Sequence, residues 1–378
     1  MAARFSARAE VHDRDASFPA ENLEVLRAAG WASMSVPARW GGWGAGLADA
    51  VRLLRRLGAG CGSTALAYAM HVQTLGTASA RPWSGEAFQR LCADVVARGA
   101  WVNNCASEPE LGSPSRGGLP RTIARAVDGG WRITGRKNFA SLAPVLDWAI
   151  VPAALEGEEQ AIGRFLVPAE CLRVEETWDA MGMRATGSHD IVLEEAPVGP
   201  EAMLYRESAA PGERDPAAGA WFTLCFSAVY LGVADAALRA SARYAQCRVP
   251  TALGRPIGSL EPVQRRLGAA DLALRVAGSF LETVAAAWDG APPSGRPALG
   301  ADVLAAKLQV GSAAVSAVDH CLQVVGGPSM RRDLPLERRF RDVRAVLFHP
   351  PTEDQGLALL GRLALPAADR QGERSPDA

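Results

Sequence analysis

The sequence predicts a multidomain α+β chain in which an N-terminal helical domain, a middle antiparallel β-domain and a C-terminal helical bundle follow one another. Three observations predict it. The chain has 378 residues, more than a single hydrophobic core usually holds. Apolar residues recur at helical spacing up to about residue 100 and again beyond residue 219. Between these regions, short apolar runs alternate with turn residues, the pattern of strands. Elements grouped in this way argue against a doubly wound parallel sheet.

In chain order, FPAENLEVLRAAG has a helical apolar stripe, with Gly30 placed to end it. WGGWGAG is a glycine-rich loop. LADAVRLLRRLGAG and STALAYAMHVQTLG predict two further helices, the second with Ser63 and Thr64 placed for N-capping. The N-terminal helical domain is assigned to residues 1–100 and the β-domain to 101–205. WRITGRKNF, DWAIVPAAL, AIGRFLVPA and HDIVLEEAPV are its strands, and VDGGW is a hairpin turn whose glycines accept positive φ. The polar, proline-bearing stretch 206–219 reads as a linker. The bundle, 219–365, is a four-helix type. It starts with AWFTLCFSAVYLGVADAALRASARYAQ, apolar on most sides of its first half and so destined for burial. PVQRRLGAADLALRVAGSFLETVAAAW, ADVLAAKLQVGSAAVSAVDHCLQVVGG and a last helix from about Thr352 to Leu363 follow. Residues 366–378 read as a disordered tail.

Bulk properties exclude several function classes. The net charge is −1 and Lys/Arg are spread along the chain, so no basic stripe for nucleic acid is expected. No run of eighteen apolar residues predicts a membrane span. The polar N-terminus lacks the apolar stretch of a secretory signal. The seven cysteines form no CxxC pair, which argues against zinc or a disulfide framework and for a reducing cytoplasm. No metal site is expected, and GxGxxG and Walker-type loops are absent.

Four segments carry a resemblance: CASEPELGS at 105–113, TGRKNFAS at 134–141, MGMRATGSHDI at 181–191 followed by PVGPEAML, and QVVGG at 323–327 followed by RRFRDVRAVLFHPPTEDQ. In order and spacing they are similar to the acyl-CoA dehydrogenase superfamily over about Phe18 to Leu363. The resemblance implies that family's three-part fold, bound FAD (with FMN the alternative flavin) and a homo-oligomer, either tetramer or dimer. Ser107, Gly112 and Ser113 sit in a turn where hydroxyls and backbone N–H groups can meet a ring edge and a phosphate. Phe139 takes the place of the family's tryptophan beside the flavin, and Ser141 that of the threonine near flavin N5. Gln323, Gly326 and Gly327 match the motif that contacts the adenine half of FAD from a neighbouring subunit. Arg248 resembles the arginine at the pyrophosphate, although R-x-x-F-G has become R-V-P-T-A-L-G.

The family's catalytic glutamate, which follows a tyrosine in YEGT, falls on Pro350 of His349-Pro350-Pro351-Thr352, and proline accepts no proton. Thr352 keeps the threonine of that stretch on the flavin side. A minority of the family carries the base on the first long bundle helix, at the position of Phe222 here, with Thr223 for the following arginine. Both base positions are thus empty. Glu353 is a candidate substitute, although a helix N-terminal acid is its ordinary reading. His349 is the stronger candidate, because Arg341-Asp342 followed by His349 resembles the R-D-x6-H spacing of the superfamily's flavin monooxygenases. There a histidine and a hydroxyl near N5 steady a peroxyflavin, roles that His349 and Ser141 would fill. His12, His71, His189 and His320 support no site assignment. His71 reads as a core residue.

Three functions follow from the resemblance. The first is a flavin-dependent monooxygenase or oxidase acting on a small organic or carrier-bound substrate, with a flavin reductase as partner. The second is an acyl-CoA or acyl-carrier-protein dehydrogenase with a displaced base. The third is an inactive subunit or binding partner that keeps the fold.

Overall fold

The computed structural model describes residues 1–80, 85–111, 117–209 and 216–365. Five helices come first: α1 (Ala2–Asp15), α2 (Ala20–Ala28), α3 (Leu47–Gly60), α4 (Gly62–Ala80) and α5 (Glu86–Arg98). Gly30, with φ of 75°, follows the end of α2 in a left-handed conformation that costs glycine little. The start of α4 differs from the sequence expectation. Cys61 precedes the helix, and its Sγ accepts from the Thr64 N–H at 3.5 Å. The hydroxyls of Ser63 and Thr64 turn instead to the sulfurs of Met183 and Cys61.

The sheet is built from β1 (Val102–Asn104), β2 (Ile123–Val127), β3 (Gly130–Ala140), β4 (Trp148–Leu155), β5 (Ala161–Pro168), β6 (Arg173–Glu175), β7 (His189–Val198) and β8 (Met203–Ser208). Its order is β6-β7-β3-β2-β4-β5-β8, with β1 alongside β4. Most pairings are antiparallel, and the β2–β3 hairpin turns through Gly129 and Gly130, both at positive φ. β4 pairs in parallel with both β1 and β2. β8 continues to Ser208, inside the stretch expected as linker, of which residues 210–215 lie outside the described residues.

Four longer helices and one short one close the chain: α6 (Ala220–Cys247), α7 (Glu261–Gly290), α8 (Gly300–Val325), α9 (Leu336–Arg344) and α10 (Glu353–Ala364). By length and composition α6 and the α8 region could cross a membrane, yet 83% of the α6 apolar window is buried in the fold. Its apolar length is used inside the protein. α3 lies along α6 at close range. A Cβ on Gly58 or Gly232 would collide with the facing backbone of Val229 or Arg55, so glycine is required at both crossings. The expected tail, 366–378, lies outside the described residues.

Candidate active site

The middle-domain part of the site begins with an irregularity in β3. Lys137 pairs with Ile191, and Ala140 with His189, so the ladder slips between them. Such a bulge re-aims side chains. Asn138 leaves the ladder and its N–H donates to Ser107 O at 3.0 Å. Phe139 adopts φ of 52°, a strained conformation for an aromatic residue, and its side chain stands 61% exposed. Trp178 meets its ring edge-on, with centroids 5.9 Å apart.

Beneath this bulge Lys137 and Glu108 form a fully buried ion pair, Nζ to Oε1 at 2.6 Å. Burial disfavours ionisation of both. It pulls Lys137 down to about 8, while burial of Glu108 is outweighed by Lys137 and by the Thr122 hydroxyl and Arg121 N–H, leaving that carboxyl below its ordinary range. Glu108 thereby fastens the 105–111 turn to β3. Gly112 and Ser113 lie outside the described residues.

Ser141 is buried and belongs to a chain of hydroxyls. Its Oγ is 2.8 Å from Ser188 Oγ, which is 2.7 Å from Thr186 Oγ1, and Thr186 donates to Met183 O at 3.0 Å. Asn103 donates to Ser141 O at 2.8 Å. The segment 181–191 thus holds Ser141 through Ser188, while Trp178 of the stretch before it braces Phe139. Asp342 of α9 accepts the Met183 N–H at 2.6 Å and joins this segment to the bundle. Arg341 binds Asp13 of α1 with two contacts, 3.0 and 2.6 Å, and Glu337 on its own helix.

His349 lies between α9 and α10, against α6. Phe222, Phe226 and Tyr230 occur four residues apart and so share one helix face. All three meet the imidazole. Phe226 stacks on it with centroids 4.5 Å apart and planes at 19°, Phe222 approaches edge-on at 6.2 Å, and Tyr230 Oη lies 2.7 Å from Nε2. Burial, reinforced by Lys307 on α8, lowers His349 to about 4, so it is neutral at pH 7. Burial keeps the Tyr230 phenol protonated. Among the described residues the Tyr230 hydroxyl has no other acceptor, so its proton is satisfied by donating to Nε2, which puts the ring proton on Nδ1. Among the described residues nothing pairs with Nδ1.

Neither family base position holds a carboxylate: Phe222 is part of the aromatic box and Pro350 follows His349. Glu353 is exposed in the first turn of α10. Thr352 caps that helix, its N–H donating to Gln355 Oε1 at 3.2 Å. Arg248 is exposed where α6 ends, and Gln323, Gly326 and Gly327 are exposed where α8 ends. The Gln323 amide oxygen accepts from Arg266. His71 is a satisfied core residue, with Nε2 2.7 Å from Ala32 O and Nδ1 accepting from Val102 N–H at 3.1 Å.

These residues fit a flavin. Phe139 offers an open aromatic face, Ser141 a fixed hydroxyl, and the buried Asn138 Oδ1 has no hydrogen-bond partner among the described residues. At Gly326 and Gly327 the space beside the backbone is open.

Models of the acyl-CoA dehydrogenase N-terminal, middle and C-terminal domains match residues 1–90, 104–196 and 224–353. The putative acyl-CoA dehydrogenase YdbM of Bacillus subtilis (strain 168) is 38% identical over 97% of this chain and 94% of its own length. The chain belongs to the acyl-CoA dehydrogenase superfamily. A dibenzothiophene monooxygenase of Rhodococcus erythropolis is 27% identical over 93% of this chain and 88% of its own. KijD3, solved with FMN and dTDP-3-amino-2,3,6-trideoxy-4-keto-3-methyl-D-glucose, superposes with a TM-score of 0.84 at 26% identity, covering 96% of this chain and 90% of that one. This member of the superfamily is a flavin-dependent oxidoreductase, similar to its monooxygenase-like branch.

Tyr230 is a residue of the candidate site that the sequence did not single out, and Ser188 stood in a motif without a role. The signal for Tyr230 was available as the aromatic spacing 222, 226, 230 on one apolar helix.

Proposed function

We propose that this protein is a flavin-dependent monooxygenase in which neutral His349 presents its Nδ1–H as a fixed hydrogen-bond donor beside the flavin. The observation that carries this reading is the 2.7 Å contact between Tyr230 Oη and His349 Nε2 within an aromatic box. Bound flavin in its reduced form would supply the electrons for oxygen activation. The chain's own residues supply orientation and exclusion. Tyr230 selects the His349 tautomer, Phe226 sets the ring plane, and Phe222 and Phe226 keep water from the imidazole. Ser141 gives its hydroxyl proton to Ser188, in a chain that runs through Thr186 to Met183 O, so its Oγ is held as an acceptor. An N–H held in place before reaction stabilises negative charge that develops on oxygen without reorganising. Removal of a proton α to a thioester finds no carboxylate at either family base position, which are Phe222 and Pro350 here.

The aromatic walls suit a small, largely planar organic substrate with an oxidisable nitrogen or sulfur. The dibenzothiophene relative named above is consistent with a planar sulfur compound, and the amino sugar bound by KijD3 with an oxidisable nitrogen only. Glu353, exposed on α10, is assigned the helix-capping charge and not the base. Phe139, Ser107, Ser141 and Thr352 are proposed to hold the flavin of their own subunit. Along α6, Arg248 lies roughly 30 Å beyond Phe226 at 1.5 Å per residue. With Gln323, Gly326 and Gly327 it would serve the flavin of a second subunit, which supports a homo-oligomer, dimer or tetramer. That division favours FAD, and FMN, as in KijD3, is the alternative. A separate reductase would deliver the electrons. The free cysteines support a cytoplasmic location.

The test supplies reduced flavin from a generic reductase and follows oxygen uptake, hydrogen peroxide and oxygenated product across panels of amines and sulfur heterocycles. His349→Ala should lose product and release more peroxide. If Glu353→Gln abolishes turnover while His349→Ala is mild, or if an acyl thioester bleaches the bound flavin without oxygen, the reading fails.

A further inference from the structure

The arginines that look dispersed in the sequence are gathered by the fold. A half-open cavity of about 1340 Å³ lies among α1, α3, α6 and α9. Phe139, Ser141 and His349 are not among its lining residues. Its carboxylates are already engaged: Glu10 with Arg14, Asp13 and Glu337 with Arg341, Asp235 and Glu282 with Arg55, Asp333 with Arg331. Arg56, Arg239, Arg243, Arg332, Arg338 and Arg339 line the same cavity, and among the described residues none of them has an ion pair.

Arg339 is the decisive one. It is 9% exposed, and among the described residues its one hydrogen bond is a long 3.4 Å contact from Nη1 to Pro335 O. A buried guanidinium left with a single weak acceptor is costly. Its neighbours add to the cost. Burial first, then the adjacent charges of Arg338 and Arg239, bring Arg339 down to about 10. The carboxylate that most relieves it is Asp342, whose Oδ1 is already taken by Met183 N–H. Guanidinium groups at this density, some on a wall and one in the floor of a concave site, match the several oxygens of a multivalent phosphate.

We infer that this cavity is a binding site for a di- or triphosphate group, with Arg339 at its floor and Arg239 and Arg338 at its side. The site stands independently of the monooxygenase reading, since it shares no residue with the flavin cradle or the aromatic box.

Calorimetric titration of the flavin-loaded, full-length protein with inorganic pyrophosphate, and then tripolyphosphate, tests the inference at fixed ionic strength. Binding should tighten from phosphate to pyrophosphate to tripolyphosphate. Arg339→Leu and the surface change Arg239→Gln should each weaken pyrophosphate binding by about tenfold, the worth of one charge-assisted bond. Arg239→Gln keeps the test decisive if Arg339→Leu folds poorly. Equal affinity in both variants, a response matched by chloride, or release of flavin by pyrophosphate would overturn the assignment; the last would make the cavity part of the cofactor site.

Discussion

Met183 N–H and Asp342 Oδ1 meet at 2.6 Å across 159 residues of sequence. Through this bond and the one from Arg341 Nη1 to Met181 O at 2.9 Å, the segment that holds Ser141 is fastened to the helix that leads to His349, so two halves of the proposed site share a support. Burial raises Asp342 to about 6, so the folded chain holds a proton that the unfolded chain releases near 3.8. Asp342 therefore favours the folded state most at pH below 4, and that contribution is lost as pH rises through 6. Asp342→Asn keeps an acceptor for Met183 but cannot ionise. Measured against the parent, the variant's stability should gain steadily between pH 4 and 6, by an amount on the order of 3 kcal/mol if the whole shift is realised. Parallel melting curves across that pH range check this.

Tyr230→Phe removes the hydroxyl that fixes the His349 tautomer and leaves the ring. The structure predicts a fall in kcat of about tenfold with little change in KM, since a donor near the reacting oxygen is lost in orientation while the walls remain. The acid limb of the pH profile separates this from simple damage. With His349 lowered to about 4, the parent should stay active well below pH 6. Without the phenol donating to Nε2, the imidazole protonates somewhat more readily and the limb moves up, while burial and Lys307 still hold it below the ordinary histidine range.

Phe139 bears on flavin affinity alone. Phe139→Ala should weaken flavin binding by about five- to tenfold, consistent with about 1 kcal/mol for one stacked ring. Phe139→Trp should restore or exceed the parent. Fluorescence quenching of added flavin reads both. Equal affinity in Phe139→Ala would remove Phe139 from the cofactor site.

The Lys137–Glu108 pair predicts a stability effect with no change in chemistry. Lys137→Met leaves a carboxylate buried alone and should cost about 3–5 kcal/mol in denaturant unfolding. Adding Glu108→Gln should recover much of the loss, because the isolated charge disappears. A double variant no more stable than Lys137→Met would show that the lysine acts through packing.

Much of this arrangement was legible in the sequence, and what was not has specific causes. The three-part order followed from hydrophobic period, because α6 and β4 each present an uninterrupted local pattern. Phe139, Ser141 and His349 could be singled out as candidates because they stand in short motifs. Tyr230 was not, since its partner lies 119 residues away and apolar neighbours on α6 conceal one hydroxyl. The N-terminal cap of α4 was misplaced onto Ser63 and Thr64 because a cysteine sulfur can serve the same N–H. The crowding of Arg239 with Arg338 and Arg339 was invisible, as charges far apart in the chain become neighbours only when α6 and α9 pack together.

The aromatic box also limits how this chain could change. Phe222 occupies one position where relatives carry a base, and Pro350 the other. A carboxylate introduced at 222 would lose its hydration between Phe226 and a neutral imidazole, and one at 350 would displace a residue whose ring shapes the approach to α10. Return to thioester desaturation would thus require coordinated replacements across two helices, and each first replacement alone would weaken what the protein already has.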